Sequence, residues 1–201
     1  MKLVESNGVL MATSQNGILR SNDDGENWDC VLNEGGVGIA VEHIKGGFAA
    51  ITYNTESETR RVRTSYDDGK TWQPIDADLP ASLSIASIIQ VGEYFFCGHP
   101  AGIFRSSDKG KTWKLLLPSI ESKVFNLFVS GNVIYAIPRN GGCWKIQVNF
   151  HPVGESFLKR RIWSWKTKVC WFINPDIEQT GNDYIKAKDQ NNTDLISMIT
   201  K

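Results

Sequence analysis

The sequence has no excess of charge of either sign and no long apolar run. It contains 22 Lys plus Arg and 22 Asp plus Glu among 201 residues. Domains that bind nucleic acid through its phosphates carry a clear basic excess, so the balance argues against a nucleic-acid partner. No stretch approaches the ~18 apolar residues of a membrane helix. A hydrophobic content of 41% nevertheless predicts a folded core.

Signatures of metal and cofactor sites are also missing. The sequence has only four cysteines and three histidines. No two cysteines form a CxxC pair, and the histidines show no metal-ligand spacing. We therefore predict no metal and no cofactor, and we expect the thiols to be unpaired and mostly buried. The residues concerned are Cys30, Cys97, Cys143, Cys170, His43, His99 and His151.

What the sequence does contain is an internal repeat. Three eight-residue segments, which we call boxes, read Ser-x-Asp-x-Gly-x-(Thr/Asn)-Trp. They are SNDDGENW at 21–28, SYDDGKTW at 65–72 and SSDKGKTW at 106–113, and they begin 44 and 41 residues apart. A period of ~40–45 residues is typical of the four-stranded blade of a β-propeller.

The residues around the boxes repeat as well. Short runs rich in β-branched and aromatic residues, separated by Gly, Asn and Pro, predict four strands A to D in each unit, with the box between C and D. We therefore predict an all-β protein, a β-propeller of four-stranded antiparallel blades. Residues 1–148 hold three full blades and a partial fourth, which lacks a box near residue 146. Because propellers typically have ~4–8 blades, we expect an incomplete ring.

The residue types in the boxes predict tight hairpins. The Asp carboxylate can accept backbone N–H groups across the turn, the Gly adopts a positive φ, and the Trp buries a large ring beneath the turn. Calcium binding is the alternative, but the glutamate that an EF-hand loop needs is Val31 here. We assign structural roles to Ser21, Asp23, Gly25, Trp28, Ser65, Asp67, Gly69, Thr71, Trp72, Ser106, Asp108, Gly110, Thr112 and Trp113.

These three boxes resemble those of the BNR/Asp-box family of β-propellers, and the resemblance covers about residues 1–148. The family includes sialidases, xyloglucan-active glycosidases, sortilin-type receptors and photosystem assembly factors. The resemblance implies the propeller fold, with boxes on the outer rim, but it does not imply one activity. The N-terminal residues do not resemble a signal peptide, so we expect a cytoplasmic location, although many members of the family are exported.

The predicted topology also gives a candidate ligand face. If the strands run outward from A to D, the B–C and D–A loops share the face opposite the boxes. In such propellers that face usually binds the ligand, here a protein or a carbohydrate. The candidates in these loops are Glu34, Glu56, Glu58, Arg60, Arg61, His99 and Arg139.

The enzyme alternative is a glycoside hydrolase, sialidase-like or xyloglucanase-like, or a fragment of one. Such an enzyme needs two carboxylates across a cleft, and Asp76 and Asp78 are weak candidates in one D–A loop. The sialidases of the family that the boxes resemble have a site with three arginines contributed by several blades. Here Arg60, Arg61 and Arg63 lie in one unit. Our leading prediction is therefore a non-catalytic scaffold or binding module, a shortened member of the family.

The tail, residues 149–201, departs from the repeat. Its basic and aromatic first part is compatible with a membrane-surface or nucleic-acid patch. Alternation of Trp, Thr and Val over 163–171 favours a strand instead, so we predict that 161–172 forms an outer strand that caps the unit at 124–148. An open ring would expose sheet faces and unpaired ends, and we then expect self-association.

Overall fold

The computed structural model describes residues 1–119, 124–130, 133–138, 144–147, 162–164 and 170–171. Every regular element among these residues is a β-strand. The described part of the chain accordingly contains no helix that is long and apolar enough to cross a membrane. The chain forms two compact units, Met1–Leu127 and Phe128–Lys201.

Four antiparallel sheets follow one another along the chain, and in each sheet the strands pair in sequence order. The first sheet contains β1 (Leu3–Ser6), β2 (Val9–Ser14), β3 (Gly17–Ser21) and β4 (Asp29–Leu32). The second contains β5 (Gly35–Ile44), β6 (Gly47–Asn54), β7 (Thr59–Ser65) and β8 (Gln73–Pro74). The third contains β9 (Ser87–Val91), β10 (Tyr94–His99), β11 (Gly102–Ser106) and β12 (Lys114–Pro118).

The fourth sheet has five strands. They are β13 (Phe125–Ser130), β14 (Val133–Pro138), β15 (Trp144–Gln147), β16 (Ile162–Ser164) and β17 (Cys170–Trp171). The backbone of β16 pairs antiparallel with β15, and β17 pairs with β16. Both of these outer strands lie within 161–172, the segment for which the sequence predicts a capping strand. The other residues of that segment, and the predicted boundary at 148/149, lie outside the described residues.

The local sequence explains why neighbouring strands pair as hairpins. Asn7 and Gly8 connect β1 to β2 with φ values of 53° and 76°. A two-residue turn with two positive φ angles matches the right-handed twist of the strands that it joins. The register then follows from residue alternation, with Leu3 opposite Ala12 and Ser6 opposite Val9.

The core of the first unit lies between successive sheets. One cluster joins Met11 and Ile18 of the first sheet to Val41 and Phe48 of the second. The equivalent cluster between the second and third sheets is larger and includes Ile51, Val62, Ile75, Ile88, Phe95 and Phe104. Sheets that are apolar on both faces and stacked in chain order are what blades of a propeller require. The predicted fold class, an all-β protein whose antiparallel sheets are those of a partial β-propeller, is confirmed. The first three sheets have the predicted four strands, whereas the fourth, predicted as a partial blade, has five.

Candidate functional site

The B–C and D–A loops of the first unit come together through backbone hydrogen bonds. The amide of Thr55 donates to the carbonyl of Glu34 at 3.0 Å, and the amide of Arg60 donates to the carbonyl of Ser82 at 2.9 Å. A third bond, 2.8 Å long, joins Ser119 to Ala101. These bonds give the loops a fixed backbone, which is the kind of frame that a binding surface needs.

A cleft of about 290 Å³ opens in this loop region, beside the second sheet. One wall comes from the start of β7 and the loop before it, and the other comes from the segment between β8 and β9. The lining combines hydroxyl, guanidinium and apolar groups, the mixture that orients a ligand while removing its apolar surface from water. The lining residues are Ser57, Thr59, Arg60, Arg61, Asp76, Ala77, Leu79, Pro80, Ala81 and Ile85.

Asp76 is the most constrained group of the cleft wall, with a side chain that is only 4% exposed. Its Oδ2 accepts the Nε–H of Arg61 at 2.7 Å and the amide of Val62 at 2.8 Å. Its Oδ1 accepts Nη2 of Arg61 at 3.1 Å and Nη1 of Arg63 at 3.2 Å. Oδ2 also accepts Nη1 of Arg63 at 3.4 Å, so each carboxylate oxygen accepts at least two hydrogen bonds and the carboxylate fixes two arginines on one face of β7.

The arginine network extends to a second acid. Nη2 of Arg63 also binds the carboxylate of Glu34, and the hydroxyl of Thr52 donates to the same carboxylate. Burial alone would raise the pKa of Asp76, but the hydrogen bonds from Arg61 and Val62 and the charge of Arg63 outweigh it and lower that pKa below its ordinary value. The charges of the two carboxylates, Asp76 and Glu34, are therefore balanced by those of Arg61 and Arg63.

Not all of the predicted ligand-face residues reach the cleft. Arg60 and Arg61 line it, and Glu34 supports it from behind through Arg63. Glu56 and Glu58 are exposed in the loop before β7 and do not line the cleft.

His99 is buried, although its sequence position places it in a loop region. Its Nε2 lies 2.9 Å from the carbonyl oxygen of Pro80, which lines the cleft, and its ring packs edge-on against Phe104. Burial lowers the pKa of His99, while the contact with the Pro80 carbonyl raises it by less. His99 thus supports the cleft wall. Arg139 lies outside the described residues.

Asp78 has a different environment from Asp76. Asp78 is exposed, and its Oδ2 accepts a hydrogen bond from the backbone amide of Trp113 at 2.9 Å. Asp78 therefore links the D–A segment to the third box, and it does not line the cleft. The structure places the two weakly predicted catalytic carboxylates in two separate structural contacts.

Part of the site is not evident from the sequence. The sequence suggests Arg63 only as a member of an arginine triad, whereas in the structure it joins Asp76 to Glu34. The signal was available in the alternation of β7, because Arg61 and Arg63 lie on the same face of the strand. Their acidic partners follow from tertiary structure alone, since Glu34 is 29 residues away from Arg63.

Each box forms a turn, and the same pattern of hydrogen bonds recurs in all three. In the second box the hydroxyl of Ser65 donates to Oδ1 of Asp67 at 2.7 Å and accepts the amide of Gly69 at 2.9 Å. Asp67 also accepts the amide of Thr71 at 2.9 Å and its hydroxyl at 2.7 Å. The same four bonds recur in the first box, with Asn27 in place of threonine, and in the third box.

These donors stabilise the ionised form of each box carboxylate. Hydrogen bonds from the amide and hydroxyl of Thr71 and from the hydroxyl of Ser65 lower the pKa of Asp67 from 3.8 to about 2. The equivalent donors lower the pKa to about 2 for Asp23 and Asp108. An ionised, fully bonded carboxylate serves the turn and is a poor proton donor.

Each later box also contacts the sheet that precedes it. A Cβ added to Gly110 would lie 2.5 Å from Cβ of Ile75, and one added to Gly69 would lie 1.7 Å from Cε of Met11. The indole of Trp113 is buried and donates to the carbonyl of Ile75 at 2.6 Å. Gly69, Gly110 and Trp113 therefore pack one sheet against the next, a role that the sequence does not reveal.

In the described part of the chain, no group of three or more His, Cys, Asp or Glu side chains is arranged to hold an ion. The side chains of two cysteines are described, those of Cys30 and Cys97. Cys97 is buried, as predicted for the thiols, whereas Cys30 is exposed. Neither forms a disulfide.

Comparison with known proteins bears on the fold. No protein-family model matches the chain, and no curated protein sequence matches it. The chain is similar to the crystal structure of the computationally designed Ika4 protein, with a TM-score of 0.52 and 10% identity over 73% of this chain and 89% of that chain. It is also similar to the GH74 xyloglucanase from Xanthomonas campestris, with a TM-score of 0.47 and 17% identity.

The second similarity covers 68% of this chain and 26% of the xyloglucanase. At 10% identity the similarity to the designed protein shows a shared fold and no shared activity. The similarity to the xyloglucanase is too low to indicate more. The fold and the stacked sheets together define the chain as a protein built from β-propeller blades.

Proposed function

We propose that the chain is a non-catalytic Asp-box β-propeller that binds a protein or carbohydrate ligand on its loop face, at the cleft beside the second sheet. The identical hydrogen-bond network of the three boxes supports membership of that family. The firm backbone of the loops and the mixed lining of the cleft support a binding role.

The observation that carries the proposal is the environment of Asp76. Its oxygens accept hydrogen bonds from Arg61, Arg63 and the amide of Val62, and its pKa lies below the ordinary value. The general acid of a glycoside hydrolase needs the opposite, a carboxyl group whose pKa is raised. Asp76 is therefore suited to hold the arginines of a binding surface and unsuited to protonate a leaving group.

A steric block of the cleft tests the binding site. Ala81 is exposed and lines the cleft, so Ala81→Trp should fill it without disturbing the core. Ala101 is also exposed in a B–C loop but does not line the cleft, and Ala101→Trp is the matched control. The probes are an array of oligosaccharides that includes xyloglucan fragments and sialosides, and a library of displayed peptides.

We expect at least one probe to bind the original chain and Ala101→Trp equally, and to bind Ala81→Trp at least about tenfold more weakly. Equal binding by all three proteins would place the ligand elsewhere, and no binding by any of them would reject the binding role. The enzyme alternative is assayed on the same β-glucans and sialosides. Hydrolysis of either substrate by the original chain would overturn the non-catalytic assignment.

A further inference from the structure

One face of the first sheet is much more exposed than its counterparts in the second and third sheets. We call it the first-sheet face, and it consists of Leu3, Leu10, Leu19 and Trp28. Cross-strand pairing places Leu3 opposite Ala12 and Ala12 opposite Leu19, so these residues lie on one side of the sheet. Leu3 is 54% exposed and Trp28 is 37% exposed.

The box serines identify the equivalent positions in the three sheets. Leu10 pairs with Ser21, as Phe48 pairs with Ser65 and Phe95 with Ser106. Phe48 and Phe95 are each only 1% exposed, whereas Leu10 is half-buried. The repeat therefore provides two internal references for what this face looks like when another sheet covers it.

The position of Leu3 gives the sharpest contrast. Its cross-strand neighbour Ala12 corresponds to Ala50 and Cys97. The residues opposite these two are Val41 and Ile88, and both are fully buried. A leucine that is 54% exposed thus stands where the two later sheets have residues of 0% exposure. The tryptophans follow the same order, since Trp28 is exposed, Trp72 is half-buried and Trp113 is buried.

The two covered faces also show what kind of surface covers them. Val41 and Phe48 pack against Met11 and Ile18, which lie on the opposite face of the preceding sheet. In the next junction Ile88 and Phe95 pack against Ile51, Val62 and Ile75, again from the preceding sheet. The surface that complements the first-sheet face is therefore the opposite face of another sheet of the same repeat.

The fourth sheet has exposed apolar side chains of the required kind. Ile134 and Ala136 of β14 are fully buried, while Ile137 points to the other side of the strand and is 36% exposed. Phe128 and Val129 of β13 are exposed as well, on opposite sides of that strand. Contiguous exposed apolar patches commonly mark interfaces.

We propose that a second copy of the chain docks its fourth sheet on the first-sheet face, in a head-to-tail contact. Each contact joins two different surfaces of the chain, the first-sheet face of one copy and the fourth sheet of the other, so the pair of contacts forms one isologous interface. Two such contacts related by a two-fold axis close a dimer, in which each copy supplies one surface to each contact. Each contact would continue the sheet-on-sheet packing that already joins the first sheet to the second and the second to the third.

Sedimentation of the intact chain between 1 and 100 μM, roughly the range in which standard interfaces assemble, tests the proposal. We expect a mass that rises from 22.5 kDa toward twice that value. Leu3→Lys and Ile137→Glu should each keep the chain monomeric, because each places a charge in an apolar contact. Leu83→Lys is the matched control, since Leu83 is 58% exposed but lies in the segment between β8 and β9. This variant should dimerise like the original chain.

A mixture of the two charged variants distinguishes the arrangement. In a head-to-tail dimer, Leu3→Lys of one copy faces Ile137→Glu of the other, and the second contact is unaltered, so the mixture should dimerise although neither variant does alone. A face-to-face contact between two first-sheet faces would give no recovery in the mixture and would overturn the proposal. An original chain that stays monomeric at 100 μM would overturn it too, because the first-sheet face would then have no second copy on it.

Discussion

The indole nitrogen of Trp113 lies 2.6 Å from the carbonyl oxygen of Ile75, a residue that precedes it by 38 positions. The bond joins the third box to the last part of the second sheet. Together with the amide of Trp113, which donates to Asp78, it makes the box an attachment point between two sheets. Trp28, in the first box, instead donates to Gly25 within its own turn.

This difference predicts unequal costs for the same substitution. Trp113→Ala should lower the free energy of unfolding by about 3–5 kcal/mol, because it removes a buried ring and leaves a cavity between two sheets. Trp28→Ala should cost less than half as much, since the ring of Trp28 is 37% exposed. Urea unfolding of both variants measures the difference. Equal costs would contradict the inter-sheet role of Trp113.

The buried hydroxyl at the start of each box should stabilise the turn. Ser65 is 1% exposed, and its hydroxyl bonds both Asp67 and the amide of Gly69. Ser65→Ala should therefore cost about 1–3 kcal/mol, because the buried amide of Gly69 loses its acceptor. The matched control is Ser107→Ala at an exposed position of the third box. Thermal unfolding of the pair gives the test, and a similar small change in both would show that the hydroxyl is dispensable.

Acid should weaken the fold through Asp76 among other carboxylates. The pKa of Asp76 is lowered in the folded chain, so its contribution to stability is complete above its unfolded pKa, roughly 4, and is lost as the pH falls below that value. Asp76→Asn removes this part of the pH dependence and breaks the ion pairs with Arg61 and Arg63. At pH 7 we expect a loss of about 3–5 kcal/mol, the usual cost of breaking a buried pair.

The free energy of unfolding, measured between pH 7 and pH 2, should fall less steeply for Asp76→Asn than for the original chain. Glu56→Gln, at an exposed loop position, is the control and should follow the original curve. The box carboxylates, whose pKa values are about 2, keep the slope from vanishing in either protein. An unchanged slope in Asp76→Asn would mean that its ion pairs add little.

Much of the fold could be predicted because its information is local. The hairpins depend on turns such as Asn7-Gly8, and the boxes repeat at a fixed period, so neighbouring residues specify the strands and their order. Prediction was weaker where the partner of a residue lies in another sheet.

The cleft illustrates that limit. The loops that form it were predicted, and two of its arginines were named, but the pairing of Asp76 with Arg61 and Arg63 requires the end of β8 to lie beside β7. Nothing in the residue types alone distinguishes this buried carboxylate from an acidic turn. Similarly, Asp24, Asp68 and Lys109, each just before a box glycine, share a positive φ that the shape of the turn requires, although aspartate tolerates this conformation and lysine seldom adopts it.

The box glycines allow the inter-sheet contact to be separated from the backbone conformation. Gly110 and Gly25 have similar φ values, 85° and 90°, so an alanine suffers the same backbone strain at either position, about 1–2 kcal/mol. Their surroundings differ. At Gly110 the added Cβ would lie 2.5 Å from Cβ of Ile75, whereas at Gly25 the nearest atom to it, Cδ1 of Leu10, would be 3.5 Å away. Gly110→Ala should therefore be less stable than Gly25→Ala by a further 1–3 kcal/mol or so, the usual cost of overpacking.

Urea unfolding of the two variants isolates this difference, since strain at the turn is common to both. Equal losses would mean that the third box can move away from the second sheet without cost, and the packing role assigned to the box glycines would then be wrong.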